Sequence, residues 1–189
     1  MITIKKINNS DFSVDVTITS NKYLDINKSD SGFLIEWKDS KKEIIKTMKN
    51  VSLSKDIENA IAYGAYDNNQ LAGFIEGYLE EWNNRFRITN LFIFKEEYQN
   101  KGIGTRLINK VFKEAKNSNA RMVVLETQSY NSKAISFYER NGFEIIGFDR
   151  YAYRNNDPSR HEMRIELGKK VLIWLQCLML FLEKKKKWT

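Results

Sequence analysis

Gly102 and Gly104 stand two residues apart in Gln99-Asn100-Lys101-Gly102-Ile103-Gly104, with Thr105 next, and this stretch points most directly to a ligand. A glycine-rich loop between a strand and a helix aims several free backbone N–H groups at one point. The helix start adds a partial positive charge of about half a unit. Such a point attracts an anion. The two glycines remove Cβ atoms that would hold a diphosphate away, and they permit left-handed backbone angles. Leu107 stands where the third glycine of a dinucleotide fingerprint would be, and no Lys-Ser/Thr pair follows the loop, so nicotinamide and ATP readings lose weight.

The elements that must position this loop follow from hydrophobic spacing. Ile88 to Phe94 reads as a strand, while Leu107, Ile108, Val111, Phe112 and Ala115 recur at helical spacing after Thr105. Upstream, Ile61, Tyr63 and Ala65 alternate, meet the turn Asp67-Asn68-Asn69 and return through Leu71 to Leu79 as a hairpin. A second reversal at Trp82 to Arg85 leads into the strand that feeds the loop. Met122 to Leu125 is a short continuous apolar run of the kind a central strand shows. Ala134, Ile135, Phe137 and Tyr138 give a short helix an apolar face, with Asn131 or Ser132 able to cap its start and Gly142 suited to its end. Two strands, Glu144 to Tyr153 and His161 to Leu167, close the pattern around a turn at Asp157-Pro158. Ile2 to Ile7 reads as a first strand. Between them and Ala60, the cluster at Phe33 to Trp37 and the set Ile44, Ile45, Met48, Val51, Leu53 predict two helical pieces.

Composition bounds the class. At 189 residues with plentiful aromatics and one proline, the chain suits one packed domain. The formal charge is +7, but Lys184 to Lys187 carry four of those charges in a terminal run. The remaining mild excess suits an anionic cofactor as well as nucleic acid. Basic residues interleaved with aromatics are not evident outside the run, so no nucleic-acid partner is expected. Cys177 and His161 are the single cysteine and histidine, which excludes disulfides and Cys/His zinc sites by counting; no metal is expected. A reducing cytoplasm is the simplest setting, and Met1 to Ile7 lacks the apolar core of a signal peptide. Val171 to Leu182 is nearly all apolar but too short for a membrane span, which needs roughly 20 residues. A helix packing on the body or on a second copy is the expectation there. The division is therefore residues 1–170 as one domain and 171–189 as an apolar, then lysine-rich, extension.

The sequence resembles the GNAT superfamily of acyl-CoA N-acyltransferases. Gln99, Gly102 and Gly104 fit its Gln/Arg-x-x-Gly-x-Gly/Ala motif, and Asn131, Ala134, Phe137, Tyr138, Gly142 and Phe143 fit its Asn-x-x-Ala-x-x-Phe-Tyr-x-x-x-Gly-Phe pattern. Two motifs in order are more specific than either alone. The resemblance covers about residues 60–168. Leu125-Glu126-Thr127-Gln128, with Trp82-Asn83 to Arg85, is most similar to the small-molecule branch that includes streptothricin acetyltransferases. It implies an α+β, three-layer fold: a mixed, mostly antiparallel sheet of six to seven strands flanked by about four helices, with an apolar C-terminal helix besides.

The resemblance also implies the site. Acetyl-CoA is the implied donor, its diphosphate held by the backbone of Gln99, Asn100, Lys101, Gly102, Ile103, Gly104 and Thr105. Its pantetheine arm would pair with the exposed backbone of Leu91 and Ile93, with Asn131 and Tyr138 nearby. Tyr138 is the implied acid for the departing sulfur, a phenol and a thiol being close enough in proton affinity. Glu126, ending a central strand, is the preferred base, with Glu76 and Glu80 as rivals and an already neutral amine as the further alternative. Glu76, Glu80, Trp82, Asp149 and Tyr151 are candidate contacts to the acceptor, with Phe86 and Tyr153 as further walls. His161 reads as a surface or strand residue. The implied reaction moves an acetyl group to a primary amine of a small polyamine-like or antibiotic-like molecule through a ternary complex. A protein or peptide amine, or a non-catalytic module that only holds coenzyme A, are the alternatives. Family habit and the apolar tail make a homodimer the expected assembly.

Overall fold

Alternating burial along the strands and a 3.6-residue stripe on the longest helix build two layers that meet at one sheet. The structure, a computed structural model, describes residues 1–8 and 12–171. Its elements are β1 (Thr3–Ile7), β2 (Val14–Ser29), β3 (Gly32–Val51), β4 (Ile61–Asp67), β5 (Gln70–Glu80), β6 (Arg85–Ile93), α1 (Ile103–Asn117), β7 (Met122–Gln128), α2 (Ser132–Arg140), β8 (Glu144–Asp149), α3 (Asp157–Arg160) and β9 (Arg164–Lys170). Seven strands form one sheet in the order β1-β4-β5-β6-β7-β9-β8, and β2 and β3 form a separate two-stranded sheet. Every pair is antiparallel except β6 with β7, the two strands joined through α1.

Helix α1 buries Ile103, Leu107, Ile108, Val111 and Ala115, a single stripe. They pack with Ile75, Ile88, Val123 and Leu125 on one face of the sheet. Each fully buried aliphatic side chain contributes about 1.5–3 kcal/mol, so this face anchors the helix start that follows the glycine loop. Because successive strand residues point to opposite faces, Phe74 and Glu76 emerge on the other side from Ile75. There Phe74 packs with Ile7 and Ala62 in a smaller core, backed by Phe12, Val51, Leu53, Phe92 and Phe94.

Two expectations need correction. Three α-helices form among the described residues instead of about four, because the segment expected to hold two helical pieces is strand: β3 runs from Gly32 to Val51 against β2. In its second half Ile44, Lys46 and Met48 are half-buried at a period of two, while Ile45 is exposed. Lys46 breaks the apolar alternation, and it is tolerated inward because Glu162 pairs with it. The strand expected through Tyr153 ends at Asp149, and the one expected from His161 begins at Arg164. The expected apolar helix after Lys170 lies outside the described residues apart from Val171, whose N–H donates to the Arg121 carbonyl at 3.0 Å.

The hairpin packs over the end of the main sheet. The Leu24 N–H donates to the Ser129 carbonyl, Ser20 meets Ser132 of α2 at 2.7 Å, and Phe33 packs edge-on against Phe148. Tyr23 stacks on His161 with ring centroids 3.6 Å apart. The β2–β3 pair thus covers the segment between β8 and β9.

Candidate active site

The loop before α1 is built for an anion. A short 3₁₀ turn, Glu96–Tyr98, closes with the Gln99 N–H donating to the Glu96 carbonyl. Beyond it, the backbone N–H groups of Asn100, Lys101, Gly102, Ile103, Gly104 and Thr105 have no acceptor among the described residues. The next N–H, that of Arg106, starts the helical ladder by donating to the Gly102 carbonyl at 3.0 Å. No side chain caps this helix. Six consecutive open donors at a helix N-terminus make a site for phosphate oxygens.

The two glycines do different work. Gly102 has φ +72°, a left-handed conformation with open space where a Cβ would lie; Asn100, at φ +56°, shares that curvature. Gly104 instead lets the ring of Phe137 approach, since a Cβ there would stand 2.8 Å from Cζ. Its role is therefore to seat α1 on α2, not to clear room for a ligand.

A fork opens in the sheet beside the loop. β6 pairs with β7 only from Arg85 to Ile88, the last rung being Ile88 with Leu125. At that point β6 carries a bulge: Glu76 pairs with Asn90 and Gly77 with Ile88, leaving Thr89 extra. Beyond it, the Phe94 N–H donates to the Ala72 carbonyl at 2.9 Å. Backbone groups alternate sides along a strand, so those of Leu91 and Ile93 face away from β5, into the fork. They form the exposed edge that an extended chain pairs with.

Glu126 is the first β7 residue past the last rung. It leaves the sheet on the face away from α1, as Glu76 does. Its Oε1 accepts from the Tyr153 hydroxyl at 3.2 Å, and its Oε2 stands 3.8 Å from the Arg164 guanidinium. Burial, with Glu126 beside it, pushes the Tyr153 phenol up to about 12. Arg164 also stands 3.8 Å from Asp149, whose other oxygen accepts from the Tyr151 N–H. Tyr138, on α2, is 7% exposed, packed edge-on against Phe137 and Phe143, and its hydroxyl has no hydrogen-bond partner among the described residues. Burial raises its pKa, so it stays a proton donor. Asn131 caps α2 by accepting from the Ala134 N–H at 3.3 Å.

The remaining candidates divide. Glu76 is 1% exposed and lines a cavity of about 890 Å³ on the face away from α1. Glu80 is at the opposite end of β6 from the glycine loop, ion-paired with Arg85 and Arg87. Burial alone would raise its carboxyl, but Arg87, Asn83 and Arg85 hold it below the usual range. Trp82 lies in the turn after Glu80 and is 84% exposed. The structure thus brings Glu126 and Asp149 together through Arg164 near the fork, sets Glu76 two strands from Glu126 beside its own cavity, and leaves Glu80 and Trp82 at the other end of the sheet. Tyr151 itself is 55% exposed. His161 belongs to no strand: it ends α3 at φ +57°, stacked on Tyr23. Burial lowers its pKa.

Arg164 and Asp157 were not foreseen. Arg164 is legible only through register, since β7 and β9 set Glu126 opposite Glu166 and Gln128 opposite Arg164. Asp157 is fully buried and accepts from the N–H groups of Tyr153 and Arg154, which fixes the turn that carries Tyr153. The Asp-Pro pair in a predicted turn is its signal.

Residues 22–143, well over half of the chain, match the family model described as Acetyltransferase (GNAT) family. The chain belongs to this family. It is 32% identical over 108 residues to streptothricin acetyltransferase A of Bacillus subtilis (strain 168), a match spanning 57% of this chain and 61% of that protein. A Bacillus anthracis str. Ames protein assigned as a streptothricin acetyltransferase, solved with acetyl coenzyme A, superposes with a TM-score of 0.72 at 27% identity, over 90% of this chain and 97% of that one. Nourseothricin acetyltransferase shares the fold at a TM-score of 0.77, 21% identity and coverage of 90% and 99%.

Proposed function

We propose that this GNAT protein transfers an acetyl group from acetyl-CoA to a primary amine of a small, antibiotic-like molecule of the streptothricin kind. The six open N–H groups from Asn100 to Thr105 carry the reading, because a run of donors without acceptors is costly unless a ligand or water takes them. The likeness to streptothricin acetyltransferases supports the acceptor class.

The open N–H groups of Asn100 to Thr105 would hold the diphosphate, that of Gln99 being taken by the Glu96 carbonyl, and the backbone of Leu91 and Ile93 would pair with the pantetheine arm. When bound, the coenzyme supplies an acetyl thioester. A backbone N–H at the fork polarises its carbonyl, worth about 2.7–4 kcal/mol for a well-placed donor. Glu126 accepts the proton released as the amine becomes a nucleophile. Tyr138, whose hydroxyl holds its proton in the free site, gives it to the sulfur as the carbon–sulfur bond breaks. Holding both substrates at the fork supplies much of the remaining acceleration.

Thiol release from acetyl-CoA, measured against streptothricin, linear diamines, an aminoglycoside and an N-terminal peptide, tests the reading. Release with streptothricin or a diamine and none with the peptide is the expected result. Release with the peptide alone would overturn the acceptor class, and coenzyme binding without release to any amine would overturn the reaction.

A further inference from the structure

Glu76 is fully buried, and four donors converge on its carboxylate. Its Oε1 accepts from the Ser54 N–H at 2.8 Å; its Oε2 accepts from the Ser54 hydroxyl at 2.6 Å, the Thr89 hydroxyl at 2.9 Å and the Asn90 amide at 2.8 Å. All four donors are neutral. Three of the four donate to Oε2 and one to Oε1, so Oε1 is the oxygen left with room for a further partner. Yet no cation among the described residues lies within ion-pair distance of it. A buried negative charge without a counter-charge is expensive.

The cavity beside Glu76 supplies the place for one. Its lining includes Asn8, Ser13, Asn50, Ser52 and Asn59, all neutral and polar, and one described cation, the exposed Lys55. Oε1 carries a single hydrogen bond and keeps room for another. Two of the four donors, Thr89 and Asn90, are the residues of the β6 bulge where the fork begins. Glu76 and Glu126 leave the same face of the sheet two strands apart, at least roughly 10 Å at two spacings of about 4.8 Å, since β6 and β7 have begun to part there.

We infer that Glu76 binds a second, non-reacting ammonium group of the acceptor, so that the preferred substrates carry two amines. This rests on the acetyltransferase reading above and deepens it. The attacking amine must be neutral and cannot at the same time be the counter-ion of a buried carboxylate. A second amine on the same molecule can. Glu76 is thus a specificity-determining residue, and the cavity it floors is the acceptor's anchor site.

The test compares 1,5-diaminopentane with 1-aminopentane, as substrates in thiol release and as ligands in thermal shift with acetyl-CoA present. The wild type should show a kcat/KM at least tenfold higher for the diamine and a melting shift with the diamine alone. Glu76→Gln should raise KM for the diamine tenfold or more and bring the diamine-to-monoamine ratio close to one. Equal shifts and equal kcat/KM for the two amines in the wild type would overturn the inference, whatever the variant does. A Glu76→Gln protein that melts cooperatively and keeps the diamine preference would overturn it too. If the acetyltransferase reading alone were wrong, thiol release would vanish while the diamine-specific melting shift persisted.

Discussion

Ile88 and Leu125 form the last rung between β6 and β7, and the residues that follow them, Thr89 and Glu126, diverge. The rung sets where the two strands stop sharing hydrogen bonds, and so where a thioester and an amine can meet inside a sheet. In the proposed reaction Glu126, first beyond it, takes the proton. Replacing Glu126 with Gln should lower kcat/KM about 10²-fold, the lower end for a general base. A change within twofold would assign Glu126 to its ion pair with Arg164 instead.

Tyr138→Phe separates binding from chemistry. The ring packs against Phe137 and Phe143 and would still do so without its hydroxyl. Turnover should fall by about 10²-fold while the affinity for acetyl-CoA, read by calorimetry, stays within twofold. Loss of both together would make Tyr138 a packing residue.

The two loop glycines should fail in different ways. Gly102→Ala places a side chain at φ +72°, costing about 1–2 kcal/mol of backbone strain with no clash to relieve it. Relaxing that strain turns the open N–H groups away, so coenzyme affinity should drop about tenfold. Gly104→Ala drives a Cβ against the Phe137 ring and should cost about 1–3 kcal/mol of stability, seen as a lower melting temperature. A melting temperature unchanged in Gly104→Ala would contradict the α1–α2 contact.

Much of this arrangement is legible in the residues. Gly102 marks a left-handed turn, the stripe Leu107 to Ala115 marks the helix behind it, and the run Met122 to Leu125 marks a strand buried on both faces. These signals are local, so the sequence carries them whole. The β2–β3 hairpin is not legible, because its inward positions include Lys46, whose charge is answered by a residue 116 positions away. A polar run at Lys38 to Glu43 also lacks the β-branched residues that mark strands. Charge pairing at long range leaves no periodicity to read. The same is true of Glu76: nothing in Phe74-Ile75-Glu76 tells that Ser54 and Asn90 close around it.

Glu162 ties the segment carrying Tyr153 to the hairpin, and acid should loosen that tie. It pairs with Arg160, Lys46 and Arg154. The Arg160 guanidinium above all, with Lys46, holds its carboxyl down at about 2 against an ordinary 4.5. A depressed folded-state pKa contributes stability that is full above the unfolded value and is lost as pH falls through the folded one. The wild type should therefore lose about 1–2 kcal/mol between pH 4.5 and pH 2 that Glu162→Gln does not, the exposed Arg partners being discounted for screening. Denaturant unfolding across that window checks it; parallel pH curves for the two proteins would refute the tie.

A titration of ¹⁵N-labelled protein with acetyl-CoA, followed amide by amide, asks whether the open donors before α1 clasp the coenzyme. The N–H signals of Asn100, Lys101, Gly102, Ile103, Gly104 and Thr105 should shift together and saturate with one equivalent, along with those of Leu91 and Ile93. Binding that leaves these eight amides in place, or no binding at millimolar coenzyme, would contradict it.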